Sequence, residues 1–383
     1  MKNKSPLSIA FIGGSLESAV GATHKIASQM DDRFNLVAGC FSRNNECNSK
    51  TANSWGVDSK RTYLDLEELL QNEKGKVDAV LVLTPIPTHY EIVKKSLQLG
   101  YAVICEKTLT DNSLTADDLL KITQKDNKFL AVTYNYSGYP MLRELKNMIA
   151  ENILGEILHV QAEMPQETFV CLDENNNASK PQEWRLKDQD NVSTMSLDLG
   201  AHLHHLIYFL TNCRPIEVFA VGNRFGHFAV NDYISSLSKW GKNIECNIWY
   251  SKAALGFSNG LKIRIFGTKG SAEWYQMDPE TLYYSDQHGF KKILNRKNNL
   301  TGLAAQNRYN RFKAGHFQGF IEAFANYYSD VADCLDDYKE KGSYNSPYVF
   351  DANIAKQGLE FLEAIDQSVK TRSVVKLASA NNI

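Results

Sequence analysis

The feature that most constrains the fold is an alternation of two patterns over the first 135 residues. Short apolar runs ("LSIAFIGG", "FNLVAGCFS", "VDAVLVLTP", "YAVICEK", "KFLAVTYNY") are separated by stretches with helical spacing ("VGATHKIASQM", "LDLEELLQNE", "THYEIVKKSLQLG", "SLTADDLLKITQKDN"). Uniformly apolar strands between amphipathic helices predict a parallel sheet covered on both faces, with right-handed crossovers. We therefore predict an α/β fold with a doubly wound parallel sheet of the nucleotide-binding kind.

The rest of the chain has a different pattern. The segments "EILHVQAEMP", "IEVFAVGNR", "YISSLSKW", "NIECNIWYS" and "GLKIRIFGT" show partial alternation and are rich in β-branched and aromatic residues, which predicts strands. Two stretches near the carboxyl end carry apolar residues at helical spacing. A chain of 383 residues is long for one domain. We predict a dinucleotide-binding domain over residues 1–137 and an α+β domain over residues 138–383.

Composition excludes several classes of function. A net charge of −2 gives no broad basic surface for nucleic acid or an anionic membrane. No apolar run approaches the roughly 20 residues that span a bilayer. The opening "MKNKSPLSIAFIGG" predicts a buried strand rather than a signal peptide. Seven cysteines without a CxxC pair suit a reducing compartment. We expect a cytoplasmic protein without nucleic-acid or membrane partners.

In a sheet of this kind, ligands bind at the carboxyl ends of the strands. After the first strand, "GGSLESAVG" places Gly13, Gly14 and Ser15 where a backbone can approach a pyrophosphate near a helix start. This is not a clean GxGxxG motif, so a plain strand-to-helix turn stays an alternative. After the second strand, Ser42 and Arg43 stand where NAD-selective sites usually carry an acid. NADP is therefore admissible, and an exposed, solvated arginine is the other interpretation.

Two further polar segments follow strands that we count as the fourth and fifth. They are "TPIPTH", with Thr84, Pro85 and His89, and "CEKT", with Glu106 and Lys107. A partly buried lysine at the mouth of the sheet is a plausible proton donor or acceptor. The alternative is a surface lysine paired with Glu106.

The stretch "SLDLGAHLHHLIYFLT" crowds three imidazoles behind an acid. If it is helical, Asp198, His202 and His205 project from nearly the same side, because spacings of four and seven are close to full turns. His204 then falls on another face. A structural zinc site would need a fuller ligand set. A core helix with satisfied imidazoles and an acid/base cluster are the other two interpretations, and the acid/base cluster is favoured.

These motifs occur together in an order that resembles the glucose-fructose oxidoreductase, inositol dehydrogenase and MocA family (Gfo/Idh/MocA). The segments "EWRL", "IFGTKGSAEW" and "GHFQGFIEAFANYYSD" are similar to landmarks of that family, so the resemblance spans nearly the whole chain. It implies an N-terminal Rossmann domain that binds NAD or NADP. It also implies a C-terminal domain with an open, mainly antiparallel sheet, through which the chain forms a homo-oligomer, a dimer or tetramer.

The resemblance also implies an activity, namely a NAD(P)-dependent oxidoreductase acting on a hydroxyl-bearing carbon of a sugar, a sugar derivative or an inositol. Its acid/base trio falls on Lys107, Asp198 and His202. We predict that His202 is the general base, that Asp198 orients it or binds a neighbouring hydroxyl, and that Lys107 polarises the same oxygen. A redox-neutral glycosidase that uses the cofactor transiently and a non-enzymatic dinucleotide-binding sensor are the alternatives. The sequence identifies neither the substrate nor the direction of the reaction.

The remaining expectations concern binding residues. Where the family commonly has Glu-Lys-Pro this chain has Thr108, which leaves open whether the Lys107–Thr108 bond is cis. His316 is expected near the site, and no metal is expected. The predicted cofactor-binding residues are Gly13, Gly14, Ser15, Ser42, Arg43, Thr84, Pro85, His89, Glu106, Lys107 and Asn135, and the predicted substrate contacts are Tyr136, Arg185 and His205.

Overall fold

A computed structural model of the chain describes residues 5–178, 180–186 and 192–377. These described residues divide into two compact units, one within the bounds Met1–Gly138 and Phe320–Lys356, the other within Tyr139–Gly319 and Gln357–Ile383. The predicted boundary between residues 137 and 138 lies beside the first junction. The return of residues 320–356 to the first unit was not predicted.

The first segment of the chain alternates strands and helices. Its strands are β1 (Leu7–Gly13), β2 (Phe34–Cys40), β3 (Ala79–Leu83), β4 (Val103–Cys105) and β5 (Leu130–Val132). Its helices are α1 (Gly21–Gln29), α2 (Asn45–Trp55), α3 (Leu66–Asn72), α4 (His89–Gln98) and α5 (Ser113–Asp126).

The five strands form one parallel sheet in the order β2-β1-β3-β4-β5. Every residue of β3, β4 and β5 is buried, as expected for strands covered on both faces. The predicted doubly wound α/β fold is confirmed. The segments "TPIPTH" and "CEKT" follow the third and fourth strands rather than the fourth and fifth, because the chain between β2 and β3 folds as helices.

One of those helices, α2, was not predicted. Its sequence "NECNSKTANSW" is rich in asparagine and poor in apolar residues, so it has little helical periodicity. Its ends nevertheless carry good signals. The Asn44 side chain accepts a hydrogen bond from Cys47 N at the start, and Gly56 at the end has a φ of 73°. These two capping residues indicate the helix in the sequence, although its apolar periodicity does not.

The second segment contains most of the strands. The elements in order are α6 (Pro140–Ala150), β6 (Ile157–Pro165), α7 (Ala201–Thr211), β7 (Pro215–Asn223), β8 (Tyr233–Trp240), β9 (Ile244–Ser251), β10 (Lys262–Gly267), β11 (Gly270–Tyr275), β12 (Leu282–Asp286) and β13 (Lys291–Leu294). Three elements follow, α8 (Phe320–Lys341), α9 (Ala352–Thr371) and β14 (Val375–Lys376).

The second unit is built on a nine-stranded sheet in the order β13-β12-β11-β10-β6-β9-β8-β7-β14. Only the central pair β6–β9 is parallel, and the other pairs are antiparallel. Burial alternates along the strands. Val218 and Ala220 of β7 are buried, whereas Phe219 and Val221 between and beyond them are exposed. The mainly antiparallel sheet of the second domain is thus confirmed, with one face buried and one face open within the unit.

Helix α8 belongs to the first unit because it packs against the end of β5 and the turn that follows. The Tyr327 hydroxyl donates to Val132 O, and Asn326 Nδ2 donates to Gly138 O at 2.9 Å. A Cβ on Gly138 would lie 1.9 Å from Ala323 O, so only glycine permits this approach. These tertiary contacts are not visible in a sequence pattern.

Within residues 5–178, 180–186 and 192–377, no helix is long and apolar enough to cross a membrane.

Candidate active site

The loop after β1 is shaped by glycine. Gly13 and Gly14 have φ values of 81° and 74°, and a Cβ on Gly14 would lie 2.5 Å from Leu83 Cδ1. A Cβ on Gly21, at the start of α1, would lie 2.0 Å from Gly14 O. The strand end, the loop and the start of α1 therefore pack together without side chains between them. Ser15, also predicted to bind cofactor, is buried in this loop, where its carbonyl accepts from Ser18 N at 2.9 Å.

Beyond β2, the two residues at the predicted ribose position differ in their surroundings. Ser42 Oγ accepts from Asn44 N at 3.1 Å, just before α2. Asn48 of α2 fixes the same turn, because its Oδ1 accepts from Phe41 N at 2.8 Å and from Ser42 N at 3.3 Å. Arg43 is exposed. The turn is thus held by neutral groups and presents a guanidinium at the surface.

His89 joins the loops that follow β3 and β4. The imidazole is completely buried, with Nε2 2.6 Å from Thr84 O and Nδ1 2.9 Å from Thr108 O. Burial lowers the pKa of His89, so at neutral pH the ring carries one proton and donates to one carbonyl at a time. Thr84 and Pro85, which are also predicted to contact the cofactor, are more exposed than His89. His89 itself connects the backbone carbonyls of two loops.

Glu106 and Lys107 follow β4 directly. The Glu106 carboxylate is buried, accepts from the Thr133 hydroxyl and lies 2.9 Å from His24 Nε2. Burial raises the pKa of Glu106, but the interactions with His24, Lys107 and Thr133 outweigh burial and hold it below its ordinary value. Lys107 is half-buried, and its peptide bond to Thr108 is cis.

Two buried polar atoms at this edge of the sheet lack a protein partner among the described residues. They are Thr108 Oγ1, after β4, and Nδ2 of the predicted cofactor ligand Asn135, after β5. Tyr136, predicted to contact substrate, follows Asn135 in a 3₁₀ turn and is buried, with its ring centroid 6.2 Å from that of Phe320. The unsatisfied amide and hydroxyl provide hydrogen-bonding capacity for a bound molecule.

In the second unit, Asp198 does not lie in a regular α-helix. Residues Ser196–Gly200 form a π-helix, and α7 begins only at Ala201. The predicted common face of Asp198, His202 and His205 assumed α-helical spacing throughout, and a π-helix has a different repeat. That assumption is therefore wrong for Asp198. π-Helical turns inside α-helices are frequent at functional sites.

The π-helix is fixed from beneath by packing and hydrogen bonds. Ser196 Oγ lies 2.8 Å from Tyr250 Oη. A Cβ on Gly200 would lie 2.7 Å from Leu362 Cδ2 and 3.2 Å from the Tyr250 ring. The turn that carries Asp198 is thus held rigidly against β9 and α9.

Two cations hold the Asp198 carboxylate. Arg185 Nη1 lies 2.5 Å and Lys252 Nζ 2.6 Å from the same oxygen, Oδ2. Arg185 also stacks on Trp184, with 4.5 Å from its guanidinium carbon to the ring. Lys252 is only 5% exposed and lies 5.2 Å from the Phe169 ring centroid. Sequence reasoning missed Lys252. The signal it offered was a lysine directly after the apolar strand β9.

The three imidazoles of α7 have different environments. His202 is 7% exposed, whereas His204 and His205 are each 1% exposed. His204 packs between Trp240 and Phe361, at centroid distances of 5.3 and 5.7 Å, and burial lowers its pKa to about 3. His204 is thus a core residue.

His205, the predicted substrate contact, is also deeply placed. Its ring stacks on Phe209 at 6.2 Å, and burial lowers its pKa well below the ordinary value, with further lowering from the charges of His204 and Lys146. His202 is therefore the most accessible of the three rings. His316 is exposed, and its carbonyl accepts from Arg296 Nη2 at 3.2 Å.

No group of three or more His, Cys, Asp or Glu side chains in the described parts of the chain could hold a metal ion. A nicotinamide dinucleotide, in contrast, fits the residues present in the first unit. The side-chain-free loop at Gly13 and Gly14 suits a pyrophosphate beside the start of α1. The orphaned Thr108 Oγ1 and Asn135 Nδ2 lie beyond β4 and β5, at the edge where doubly wound sheets bind their ligands.

Comparison with known proteins agrees with this geometry. Residues 7–134 match a family model described as an oxidoreductase family with an NAD-binding Rossmann fold, and residues 142–273 match the GFO/IDH/MocA C-terminal domain. The chain is similar to the uncharacterized oxidoreductase YfiI of Bacillus subtilis (strain 168), with 29% identity over 382 residues and 96% of each chain covered.

A solved structure and a characterised relative add detail. An inositol dehydrogenase homolog from Azotobacter vinelandii, complexed with NADH and myo-inositol, is 26% identical with a TM-score of 0.87, covering 97% of this chain and 98% of that one. D-Xylose 1-dehydrogenase [NADP(+)] of Haloarcula marismortui is 25% identical over 141 residues, covering 37% of this chain and 38% of that protein.

Proposed function

The chain belongs to the Gfo/Idh/MocA family of NAD-binding oxidoreductases, and on that premise we propose that it is a dehydrogenase of sugars, sugar derivatives or cyclitols. The observation that carries the proposal is the Asp198 carboxylate, held by Arg185 and Lys252 four residues before the most accessible imidazole of α7. The similar inositol dehydrogenase homolog with bound myo-inositol and the similar D-xylose 1-dehydrogenase support a polyhydroxylated substrate.

His202 has the main chemical role in this proposal. Oxidation of a secondary alcohol requires removal of the hydroxyl proton as the hydride leaves the carbon, and an imidazole is suited to this near neutral pH. The bound cofactor supplies the hydride acceptor. His204 and His205 are too deeply buried to serve equally well, so His202 is the general base.

Asp198 and its two cations give the substrate a fixed polar contact. Arg185 and Lys252 both contact Oδ2 and so fix the orientation of a carboxylate that can accept hydrogen bonds at either oxygen, from a substrate hydroxyl or from His202. The rigid π-helix keeps this carboxylate in one place. Asp198 therefore orients the substrate, the base or both.

Lys107 completes the proposed trio through its motif. In the direction of oxidation, its ammonium group stabilises the negative charge that develops on the substrate oxygen as the proton leaves. Glu106, the preceding residue, is fixed by Thr133 and lies against His24, which limits the freedom of the Lys107 backbone.

The residues after β2 bear on the choice of cofactor. Ser42 and Arg43 replace the acid that would select NAD, and Arg43 is exposed and able to meet a 2′-phosphate. We expect Arg43→Ala to weaken NADP binding about tenfold, or about 1.4 kcal/mol, with little change for NAD. Fluorescence titration with NADPH and NADH measures both affinities. Equal losses for the two cofactors would contradict a role in phosphate recognition.

The open sheet face supports a homo-oligomer. Alternate residues of β6, β7, β8 and β10 leave apolar side chains exposed within one chain, and a second copy of the same face would bury them. Light scattering of the purified protein tests this, and a monomer at all concentrations would contradict it. The exposed residues are Leu158, Phe219, Val221, Leu237 and Phe266.

The activity itself is tested with a substrate panel. Purified protein is mixed with NAD or NADP and with sugars, sugar phosphates and inositols, and the absorbance of the reduced nicotinamide is followed. Reduction that requires one substrate supports the proposed dehydrogenase. Binding of a dinucleotide with no reduction by any polyol or sugar would count against it, and release of free sugar from a glycoside without net reduction would establish a redox-neutral hydrolase instead.

A further inference from the structure

We propose that Tyr328, His24 and Glu106 form a buried positioning device for Lys107. Tyr328 lies on α8, His24 on α1, and Glu106 directly after β4, so three separate elements of the first unit meet at one carboxylate. The proposal rests on the proposed function in one respect, that Lys107 acts on the substrate. It adds two residues, His24 and Tyr328, to which neither the sequence motifs nor the family models gave a role.

The contacts define a linear chain of polar groups. His24 Nδ1 lies 2.6 Å from Tyr328 Oη, and Nε2 lies 2.9 Å from Glu106 Oε2 in poor alignment for a straight hydrogen bond. If the Tyr328 hydroxyl donates to Nδ1, the ring proton sits on Nε2 and faces the carboxylate. Nδ1 of this completely buried imidazole is then hydrogen-bonded and Nε2 faces the carboxylate at ion-pair distance, so Glu106 lies between His24 and the hydroxyl of Thr133.

The surroundings of His24 restrict it to this role. The ring makes edge contacts with Phe324 at 4.9 Å and with Tyr328 at 5.9 Å, and it has no solvent exposure. It therefore cannot touch a substrate. A site needed only for packing would be filled as well by apolar side chains, since burying a carboxylate and an imidazole carries a desolvation cost. Retaining these groups makes sense if the carboxylate sets the position of its neighbour in the chain.

Lys107 is fixed on its other side by a second histidine. His89 Nδ1 lies 2.9 Å from Thr108 O, and its Nε2 lies 2.6 Å from Thr84 O. The residue before Lys107 is thus held through its side chain and the residue after it through its carbonyl. Two fully buried imidazoles, from α1 and α4, therefore fix the residues on both sides of one half-buried lysine.

The test compares two adjacent tyrosines of α8. Tyr328→Phe removes the hydroxyl that contacts His24. Tyr327→Phe removes an equally buried hydroxyl that donates to Val132 O instead of contacting the His24 ring. Each variant, as the full chain without substrate or cofactor, is labelled with acetic anhydride at several pH values. Peptide mass spectrometry then measures the labelling rate of Lys107, with the exposed Lys60 as internal reference.

We expect Lys107 to be labelled about threefold faster or more in Tyr328→Phe than in the wild type, because the backbone at Glu106 is then held less tightly and the Lys107 side chain becomes more accessible. Tyr327→Phe and the reference Lys60 should show wild-type rates. Equal Lys107 labelling rates in wild type and Tyr328→Phe would overturn the proposal. Equal acceleration in both tyrosine variants would also overturn it, because loosening would then be general.

A second pair of variants addresses His24. In His24→Gln a side-chain amide can still donate toward Glu106, whereas His24→Leu cannot. Lys107 labelling should be closer to the wild type in His24→Gln than in His24→Leu, and the reverse order would contradict the device. These readouts need no turnover. If Lys107→Ala kept full activity, the proposed role of Lys107 in catalysis would fail, while the labelling result would still decide whether the device positions it.

Discussion

Each unit contributes one carboxylate next to its predicted acid/base residues, and the two carboxylates are supported in opposite ways. Glu106, in the first unit, lies among a threonine hydroxyl and a buried imidazole. Asp198, in the second unit, is held by two cationic side chains. In the first unit the acid is thus part of the folded core, whereas in the second unit the acid lies nearer solvent. We therefore expect changes at Glu106 to affect stability first and changes at Asp198 to affect turnover first.

The largest expected effect is on stability. Glu106→Leu should lower the free energy of unfolding by about 3 kcal/mol or more, because it leaves buried polar partners without the carboxylate. Urea denaturation measures this change. Glu91→Leu, on the exposed surface of α4, is the control and should stay within about 0.5 kcal/mol of the wild type. A Glu106 variant as stable as the Glu91 variant would contradict a structural role for the Glu106 carboxylate in the core.

Asp198→Asn should show the opposite balance. We expect kcat/KM to fall about 100-fold, since the amide cannot replace the charge that orients the base or the substrate. Stability should fall by only about 1 kcal/mol, because the Asp198 and Arg185 side chains are partly exposed and the asparagine oxygen can still accept a hydrogen bond from the buried Lys252. Asp286→Asn on β12 is the matched control for both measurements. An unfolded Asp198→Asn protein would contradict the contrast drawn with Glu106.

A smaller effect concerns pH and the core imidazole of α7. The pKa of folded His204 is about 3, below the ordinary value of 6.5 that applies when the chain is unfolded. The unfolded state therefore takes up the proton first, so stability is complete above pH 6.5 and is lost as pH falls below it. Between pH 6.5 and 5.5, the wild type should lose about 1 kcal/mol through this residue.

His204→Phe keeps an aromatic ring between Trp240 and Phe361 but cannot take up a proton. Its stability should depend less on pH over that interval, as measured by urea denaturation at each pH. Glu106 gives a contrast, because its lowered pKa places its loss of stability in more acidic solution, below about pH 4.5. Identical pH dependence in wild type and His204→Phe would show that His204 is not the buried neutral group described here.

The sequence predicted the strand ends of the first unit well because each candidate there follows a short apolar run. Gly13 ends β1 and Gly14 follows it, and Glu106 and Lys107 follow β4, so local patterns place them at one edge of a parallel sheet. Fold class and family were accessible for the same reason. The contacts that support Glu106 and Lys107 could not be predicted in this way, because His24 and Tyr328 are 304 positions apart in the sequence.

The second unit was less predictable because its site depends on tertiary contacts and on a local irregularity. Lys252 and Asp198 are 54 positions apart, and no periodic pattern connects a lysine after β9 with an acid before α7. The π-helix at Ser196–Gly200 has no sequence signature comparable to a cap or a turn motif. Gly200 is required by close packing, because a Cβ there would meet Leu362, but a glycine at this position does not indicate a π-helix.

We propose that Lys107 and His202 carry out chemistry and do not supply most of the cofactor affinity. The most direct test measures NADH affinity and turnover side by side in Lys107→Ala and His202→Ala, with the exposed His288→Ala as control. We predict NADH affinity within about twofold of the wild type in all three variants, and turnover reduced by at least about 100-fold in the first two only. Wild-type turnover in both Lys107→Ala and His202→Ala would contradict the mechanism.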